Sequence, residues 1–233
     1  MKYELILFDL DGTLLDYEKA EEYALKKSME FFKINFSPEL FLNEYRKINK
    51  DLWEKYEKNE ISIKKLKFER FNLLFNRLKI KQNTRAFSKI YLHFISNASF
   101  TIEGAKEILS HLFGKYKIVL ITNGIHFVQQ KRVNKSPLKD YFNLLVSSEK
   151  VGIPKPNPIF FDYIFKKIRH KEKKTTLIVG DSLFSDIKGA IDFGVDSCWF
   201  NPHQIKNKEK IKPTYEITEL KQLREIIDRG EKC

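Results

Sequence analysis

Five short apolar runs constrain the fold of this chain more than any other feature of its sequence. Each run is too short for a helix, is rich in branched aliphatic or aromatic residues, and ends at a polar residue or a glycine. Apolarity that is continuous rather than alternating predicts strands buried on both faces, which is typical of a parallel sheet. The five predicted strands cover residues 5–10, 118–122, 144–147, 177–180 and the less apolar 198–200.

Helical patterns separate these runs in the second half of the chain. The pattern over residues 103–113 is followed by Gly114, which suits the end of a helix, and the pattern over 184–193 stops at Gly194. Asn157 and Pro158 predict an N-cap and a first helical residue for a helix that runs to about residue 168. Alternating strands and helices predict an α/β core, a Rossmann-like doubly wound parallel sheet.

Residues 16–97 differ from the rest of the chain because they contain no strand-like run, one proline and no glycine. Apolar residues recur there at spacings of three and four, over 18–32, 38–58 and 63–78, which predicts roughly four helices. We therefore expect an α/β core formed by residues 1–15 and 98–233. An all-helical cap formed by residues 16–97 would be inserted after the first strand.

The composition and charge of the chain reduce the number of functions that it could have. The net charge of +12 and the pI near 9.4 could suit nucleic acid or an anionic membrane, but the lysines are scattered among glutamates and no nucleic-acid-binding signature occurs. No apolar stretch approaches the ~20 residues of a membrane span, and the N-terminus lacks a signal-peptide pattern. Two cysteines, Cys198 and Cys233, do not make a disulfide framework. We expect a cytoplasmic protein with no membrane or nucleic-acid partner.

The residues that end the predicted strands are the candidates for chemistry, because ligands of open α/β sheets bind at the carboxyl ends of the strands. The first strand ends near Asp9 and Asp11, a spacing that can present two carboxylates to one site. Two carboxylates in different environments can act as nucleophile and as acid/base. The structural alternative is a solvated acidic turn whose backbone is relaxed by Gly12.

The second run ends at Thr122 and Asn123, just before another helical pattern. A hydroxyl, an amide and a helix N-terminus could bind a phosphoryl oxygen, although an ordinary Asn–Gly turn has the same sequence. Lys155 precedes Pro156, which restricts the backbone and would hold the lysine in a defined place.

The fourth run is followed by Asp181 and Asp186. Mg²⁺ prefers oxygen ligands and usually keeps several waters, so one or two carboxylates beside Asp9 would suffice to bind it. Alternatively, both residues could only cap the helix that follows.

Together these residues resemble the four motifs of the haloacid-dehalogenase-like (HAD) superfamily. The motifs stand in order as Asp9-x-Asp11-Gly12-Thr13, Thr122-Asn123, Lys155-Pro156 and Gly180-Asp181 followed, after four residues, by Asp186. The predicted helical cap lies where members with a C1 cap carry it. The resemblance implies a Mg²⁺-dependent phosphomonoester hydrolase that passes through an aspartyl-phosphate intermediate.

The resemblance also implies roles for the residues. Asp9 would attack phosphorus, while Asp11 would protonate the leaving oxygen and then deprotonate the hydrolytic water. Mg²⁺ would be held by Asp9, the backbone carbonyl of Asp11 and Asp181. Asp186 would lie outside the ligand set and orient Lys155 or a metal-bound water. The residues expected to bind the phosphoryl group are Thr122, Asn123 and Lys155.

Softer signals, at Gln129-Gln130-Lys131 and over residues 148–152 and 198–202, resemble the pyrimidine 5′-nucleotidase branch. They predict a nucleoside monophosphate substrate. A sugar-phosphate or phosphoglycolate phosphatase and a phosphoglucomutase-type phosphotransferase remain alternatives, because they share the same core. A basic nucleic-acid-binding module is a distant alternative. Dehalogenases do not need the second aspartate, so Asp11 argues against them. The sequence leaves monomer and homodimer open, and it identifies no cap residue that contacts the leaving group.

Overall fold

A single six-stranded parallel sheet forms the centre of the computed structural model, which describes residues 2–208 and 210–229. The strand order is β3-β2-β1-β4-β5-β6, so the chain winds outward from β1 in both directions, as in doubly wound folds. The predicted fold class is confirmed. The strands are β1 (Leu5–Asp9), β2 (Lys117–Thr122), β3 (Leu144–Ser147), β4 (Thr176–Gly180), β5 (Asp196–Phe200) and β6 (Tyr215–Ile217).

Ten α-helices surround the sheet within the described residues. They are α1 (Tyr17–Phe31), α2 (Pro38–Glu57), α3 (Ile63–Leu78), α4 (Thr84–Ile95), α5 (Ala105–Leu112), α6 (His126–Lys135), α7 (Ser148–Val151), α8 (Pro158–Ile168), α9 (Gly189–Phe193) and α10 (Gln222–Arg229). Asn157 caps α8 as predicted, because its side chain accepts a hydrogen bond from the backbone N–H of Ile159 at 3.0 Å. No helix in the described part of the chain is long and apolar enough to span a bilayer.

Two elements differ from the sequence expectations. Strand β6 was not predicted, since its three residues include the exposed Glu216 and form no apolar run. The expected single helix over residues 184–193 instead begins with a π-helical turn, Leu183–Lys188, and only its second half is α-helical.

Helices α1–α4, which we call the helical insert, enclose a hydrophobic cluster of their own. The cluster centres on aromatic side chains, with Phe71 packed against Tyr45, Phe87 and Tyr91 at ring-centroid distances of 5.0–5.4 Å. Ile125 and Val128 also belong to this cluster, and they follow β2 in the chain. The division of the chain at residues 15/16 and 97/98 stays a prediction.

The register of the sheet brings the strand ends together. In β1, Asp9 lies opposite Ile121 of β2, one residue before Thr122, and Phe8 lies opposite Val179 of β4. The carboxyl ends of the three central strands therefore meet at one edge. Of the two cysteines, Cys198 is buried in β5 with a free thiol, and Cys233 lies outside the described residues.

Candidate active site

A cavity of about 220 Å³ opens at the carboxyl edge of the sheet, between the core strands and the helical insert. All seven residues singled out in the sequence line it, although they come from four separate stretches of the chain. They are Asp9, Asp11, Thr122, Asn123, Lys155, Asp181 and Asp186.

Lys155 bridges two carboxylates on the floor of this cavity. Its Nζ lies 2.6 Å from Asp9 Oδ1 and 2.6 Å from Asp186 Oδ1, and all three side chains are almost completely buried. Burial raises the pKa of Asp9 well above its usual value, against the opposing charge of Lys155. Burial alone would lower the pKa of Lys155, but the charges of Asp186 and Asp9 raise it, so the ammonium group stays protonated.

Asp186 is committed to interactions within the protein. One carboxylate oxygen accepts from Lys155, and the other accepts from the backbone N–H of Ser182 at 3.1 Å. The N-cap of the following π-helical turn is Ser182, whose hydroxyl accepts from the backbone N–H of Ser185. Neither Asp181 nor Asp186 therefore acts as the helix cap that the sequence left open.

Asp181 faces Asp9 across the cavity and accepts a long hydrogen bond, 3.4 Å, from the Thr13 hydroxyl. The enclosing protein and the charge of Asp186 raise the pKa of Asp181, although its side chain remains accessible to solvent from the cavity. Gly12 makes this approach possible. Its φ is +82°, and a β-carbon at this position would overlap the Asp181 carboxylate.

The donor set fits a magnesium ion. Carboxylate oxygens of Asp9, Asp181 and Asp186 all lie within 4.8 Å of one another, and hard oxygen donors are what Mg²⁺ prefers. Three carboxylates face one ammonium group here, so a divalent cation would balance their charge. Because both oxygens of Asp186 already accept hydrogen bonds, Asp9 and Asp181 are the carboxylates best disposed to bind the ion.

Asp11 has different neighbours from Asp9. Its two carboxylate oxygens contact Arg132 Nη1 and Gln129 Nε2, both from α6. Gln129 Nε2 also donates to the Thr122 hydroxyl at 3.0 Å, and Arg132 Nη1 donates to Gln129 Oε1 at 3.0 Å. The Asp11 side chain remains 25% exposed in the cavity. Arg132 and Gln129 thus fix the orientation of the carboxylate that the sequence marked as acid/base.

The Asn123 side chain holds the lysine segment in place. Its Oδ1 accepts from the backbone N–H of Lys155 at 2.9 Å, and its Nδ2 donates to the backbone carbonyl of Lys155 at 3.0 Å. The same Nδ2 donates at 3.1 Å to Glu57 Oε1, at the end of α2. The side-chain amide of Asn123 therefore positions Lys155 in this structure.

The helical insert contributes three cavity residues that the sequence did not single out as site residues: Tyr17, Trp53 and Glu57. Burial raises the pKa of Glu57 to about 7, an effect only partly offset by its hydrogen bond from Asn123. Helical periodicity could not identify these side chains as site residues. It indicates which face of a helix is apolar, but not which part of the protein packs against that face.

Fold and site together define an α/β protein with carboxylates gathered at the carboxyl end of a doubly wound parallel sheet. The family model described as haloacid dehalogenase-like hydrolase matches residues 6–200, and the chain belongs to this family. The resemblance noted from the four motifs is confirmed.

Relatives with assigned names cover nearly the whole chain. The pyrimidine 5′-nucleotidase PynA of Streptococcus pneumoniae is 33% identical over 99% of this chain and 97% of its own length. The pyrimidine 5′-nucleotidase YjjG of Escherichia coli is also 33% identical, over 97% of this chain and 99% of its own. The crystal structure of the HAD-hydrolase YfnB from Bacillus subtilis bound to magnesium superposes with a TM-score of 0.91 at 33% identity, covering 98% of this chain and 100% of that one.

Proposed function

We propose that this chain is a Mg²⁺-dependent phosphomonoesterase that transfers the phosphoryl group to Asp9 and acts on pyrimidine nucleoside 5′-monophosphates. The observation that supports this reaction is that two carboxylates with different partners line one cavity. Asp9 accepts a hydrogen bond from a buried lysine, and Asp11 accepts hydrogen bonds from Arg132 and Gln129. One carboxylate attacks phosphorus. The other protonates the leaving oxygen and then deprotonates the hydrolytic water. The likeness to PynA and YjjG supports the substrate class.

Asp9, the Asp11 backbone carbonyl and Asp181 would hold the metal. When bound, Mg²⁺ supplies positive charge that offsets the repulsion between the carboxylates and an anionic phosphate. Lys155 lies in hydrogen-bond contact with Asp9, so it also neutralises charge where the phosphoryl group arrives. Thr122 ends β2, Asn123 follows it, and both line the same cavity; we propose that this edge binds the phosphoryl oxygens.

Asp186 acts through Lys155, because the lysine Nζ contacts both Asp9 and Asp186.

The expected substrate is a small phosphorylated molecule. A cytoplasmic location and a monomer or homodimer stay predictions from the sequence. Sugar-phosphate hydrolysis and phosphotransfer remain the competing reactions, since the roles proposed for these residues concern only the phosphoryl group and the metal.

A phosphate-release assay tests the proposal. The substrates are uridine, thymidine and adenosine monophosphates, a hexose phosphate and phosphoglycolate, each with Mg²⁺ and with a chelator. We expect Mg²⁺-dependent release, highest kcat/KM on the pyrimidine nucleotides, and loss of turnover of at least ~10³-fold in Asp9→Asn. The matched control is Asp162→Asn, the same change at an exposed position of α8.

Two results separate the parts of the proposal. If kcat/KM for a hexose phosphate or phosphoglycolate exceeds that for every pyrimidine nucleotide by tenfold, the nucleotidase assignment is wrong, while the phosphatase assignment stands. Near-native phosphate release by folded Asp9→Asn removes the covalent mechanism.

A further inference from the structure

Arg70 of α3 is a charged side chain buried inside the helical insert, with 1% of its surface exposed. Its Nη1 donates to the Tyr45 hydroxyl at 3.1 Å and, at 3.4 Å, to Asn49 Oδ1. Its guanidinium carbon lies 4.8 Å from the ring centre of Tyr91 and 5.1 Å from that of Phe71. Protein groups thus fix the position of one edge of the guanidinium group.

The other edge of the guanidinium group has no acceptor in the described part of the chain. Arg70 Nε and Nη2 are buried and find no hydrogen-bond partner among residues 2–208 and 210–229. These two nitrogens share one side of the planar group and point their N–H bonds in parallel, a fork suited to acceptor oxygens. A buried donor without a partner costs free energy, so such a fork calls for an acceptor from elsewhere.

A structural ion pair does not account for this edge. The buried carboxylate of Glu21 interacts electrostatically with Arg70, but its oxygens accept hydrogen bonds from Arg46 Nε at 3.1 Å and Asn49 Nδ2 at 3.2 Å. Among the described residues, the groups that accept hydrogen bonds from Arg70 are a neutral hydroxyl and a neutral amide.

Arg70 lines a recess of about 30 Å³ that adjoins the catalytic cavity. The two share Asp11, Tyr17, Trp53 and Gly124 as lining residues. A recess of this size holds one or two polar atoms and not a ring. Arg132 lines it as well, and its Nη2 also has no acceptor among the described residues. The recess is therefore lined by two arginines, each of which has a buried nitrogen that lacks an acceptor in the described part of the chain.

We propose that Arg70 determines leaving-group specificity by donating from Nε and Nη2 to a ring carbonyl oxygen of a pyrimidine base. This inference rests on the proposed function and names the residue that would select its substrate. The base ring lies in the larger cavity beside Trp53, and its carbonyl enters the recess. Uracil, thymine and cytosine all carry a C2 carbonyl, whereas adenine carries none, so the fork favours pyrimidine nucleotides over adenosine monophosphate.

The test compares Arg70→Met with Arg77→Met, the same change two turns further along α3, where the arginine is half exposed and pairs with Glu44. Steady-state kcat/KM is measured with Mg²⁺ for uridine monophosphate, adenosine monophosphate and 4-nitrophenyl phosphate. We expect Arg70→Met to lose about 10–100-fold on uridine monophosphate and to stay within about threefold on the other two substrates. Arg77→Met should resemble the wild type on all three.

Arg70→Lys keeps the charge and most of the volume but lacks the fork, so it guards against a folding defect in the methionine variant. It should also lose the preference for uridine monophosphate. The dissociation constant of uridine, measured by calorimetry without metal, should rise by a similar factor in both variants.

The outcomes are distinguishable. If the wild type prefers uridine monophosphate and folded Arg70→Lys keeps both that preference and the uridine affinity, the role of Arg70 is overturned and the proposed function stands. Equal losses on all three substrates would make Arg70 a structural residue and overturn its specificity role. If the wild type hydrolyses uridine and adenosine monophosphates equally, the nucleotidase proposal falls together with this inference.

Discussion

At the scale of single residues, Asp9 and Asp11 stand two positions apart and have different neighbours. Asp9 is buried against Lys155, which keeps its oxygen in a fixed position and leaves it little contact with water. Asp11 is held by Arg132 and Gln129 and stays partly exposed in the cavity. This contrast is what nucleophile and acid/base chemistry requires of two groups with the same side chain.

Asp11→Asn should slow the first turnover on uridine monophosphate more than on 4-nitrophenyl phosphate. An alkoxide leaving group needs a proton, and general-acid help is typically ~10²–10⁴-fold, whereas nitrophenolate leaves with little assistance. Rapid-quench measurement of leaving-group release isolates this step from the later hydrolysis. Equal losses on both substrates would argue against Asp11 as the acid.

Glu57 gives the protein a pH-dependent stability contribution. Its pKa rises from an ordinary value near 4.5 to about 7 on folding, mainly through burial. The native state therefore keeps a proton that the unfolded chain has lost between these two pH values, and stability falls as pH rises through this window. Because Gln does not titrate, the stability of Glu57→Gln should lie closer to that of the wild type at pH 5, near the lower end of this window, than at pH 8.

At pH 8 the same variant should be more stable than the wild type by about 1 kcal/mol, an amount discounted for the partial exposure of this side chain. Urea unfolding at the two pH values, without metal, measures the difference. A wild type that gains stability relative to Glu57→Gln from pH 5 to pH 8 would contradict the assignment.

At the scale of elements, the aromatic cluster holds the helices of the insert around Arg70. Phe71 is completely buried on α3 and contacts three aromatic rings, so Phe71→Ala removes its packing and leaves a cavity. We expect a loss of about 3–5 kcal/mol in the free energy of unfolding, measured by denaturant titration.

The control for this change is Phe31→Ala at the end of α1, where the ring is 59% exposed. It should cost less than about 0.5–1 kcal/mol, because little surface is buried there. Similar losses in the two variants would mean that the cluster does not hold the insert together.

At the scale of the whole molecule, the sequence predicted the sheet and the edge that bears the candidate site, because buried parallel strands leave continuous apolar runs with polar ends. Asp9, Thr122 and Asp181 could be found in this way, since each ends a strand or follows it directly. Strand β6 could not, because its three residues, with the exposed Glu216 before the buried Ile217, leave no such run. The π-helical turn before α9 has no distinct periodicity in the sequence either.

The contacts from the helical insert were beyond sequence reasoning for a different reason. In a chain with 74 charged Lys, Arg, Asp and Glu residues, a charged residue in a helical pattern indicates a solvated face. Glu57 and Arg70 turn inward because other segments of the chain enclose them: Asn123, after β2, bonds to Glu57, and Tyr45 of α2 bonds to Arg70. Tertiary packing, and not local pattern, decides which of many charges becomes part of a site.

If Asp9 carries the phosphoryl group during turnover, as we propose, that group can be trapped on its side chain. The enzyme with Mg²⁺ and excess uridine monophosphate is quenched in acid during the first turnovers, digested and analysed by peptide mass spectrometry. We predict one added phosphoryl group on the peptide containing Asp9, absent in Asp9→Asn and retained in Asp162→Asn. The proposed mechanism would be wrong if phosphate were released at the wild-type rate while the Asp9 peptide stayed unmodified at every time point. It would also be wrong if the added phosphoryl group were found on another residue.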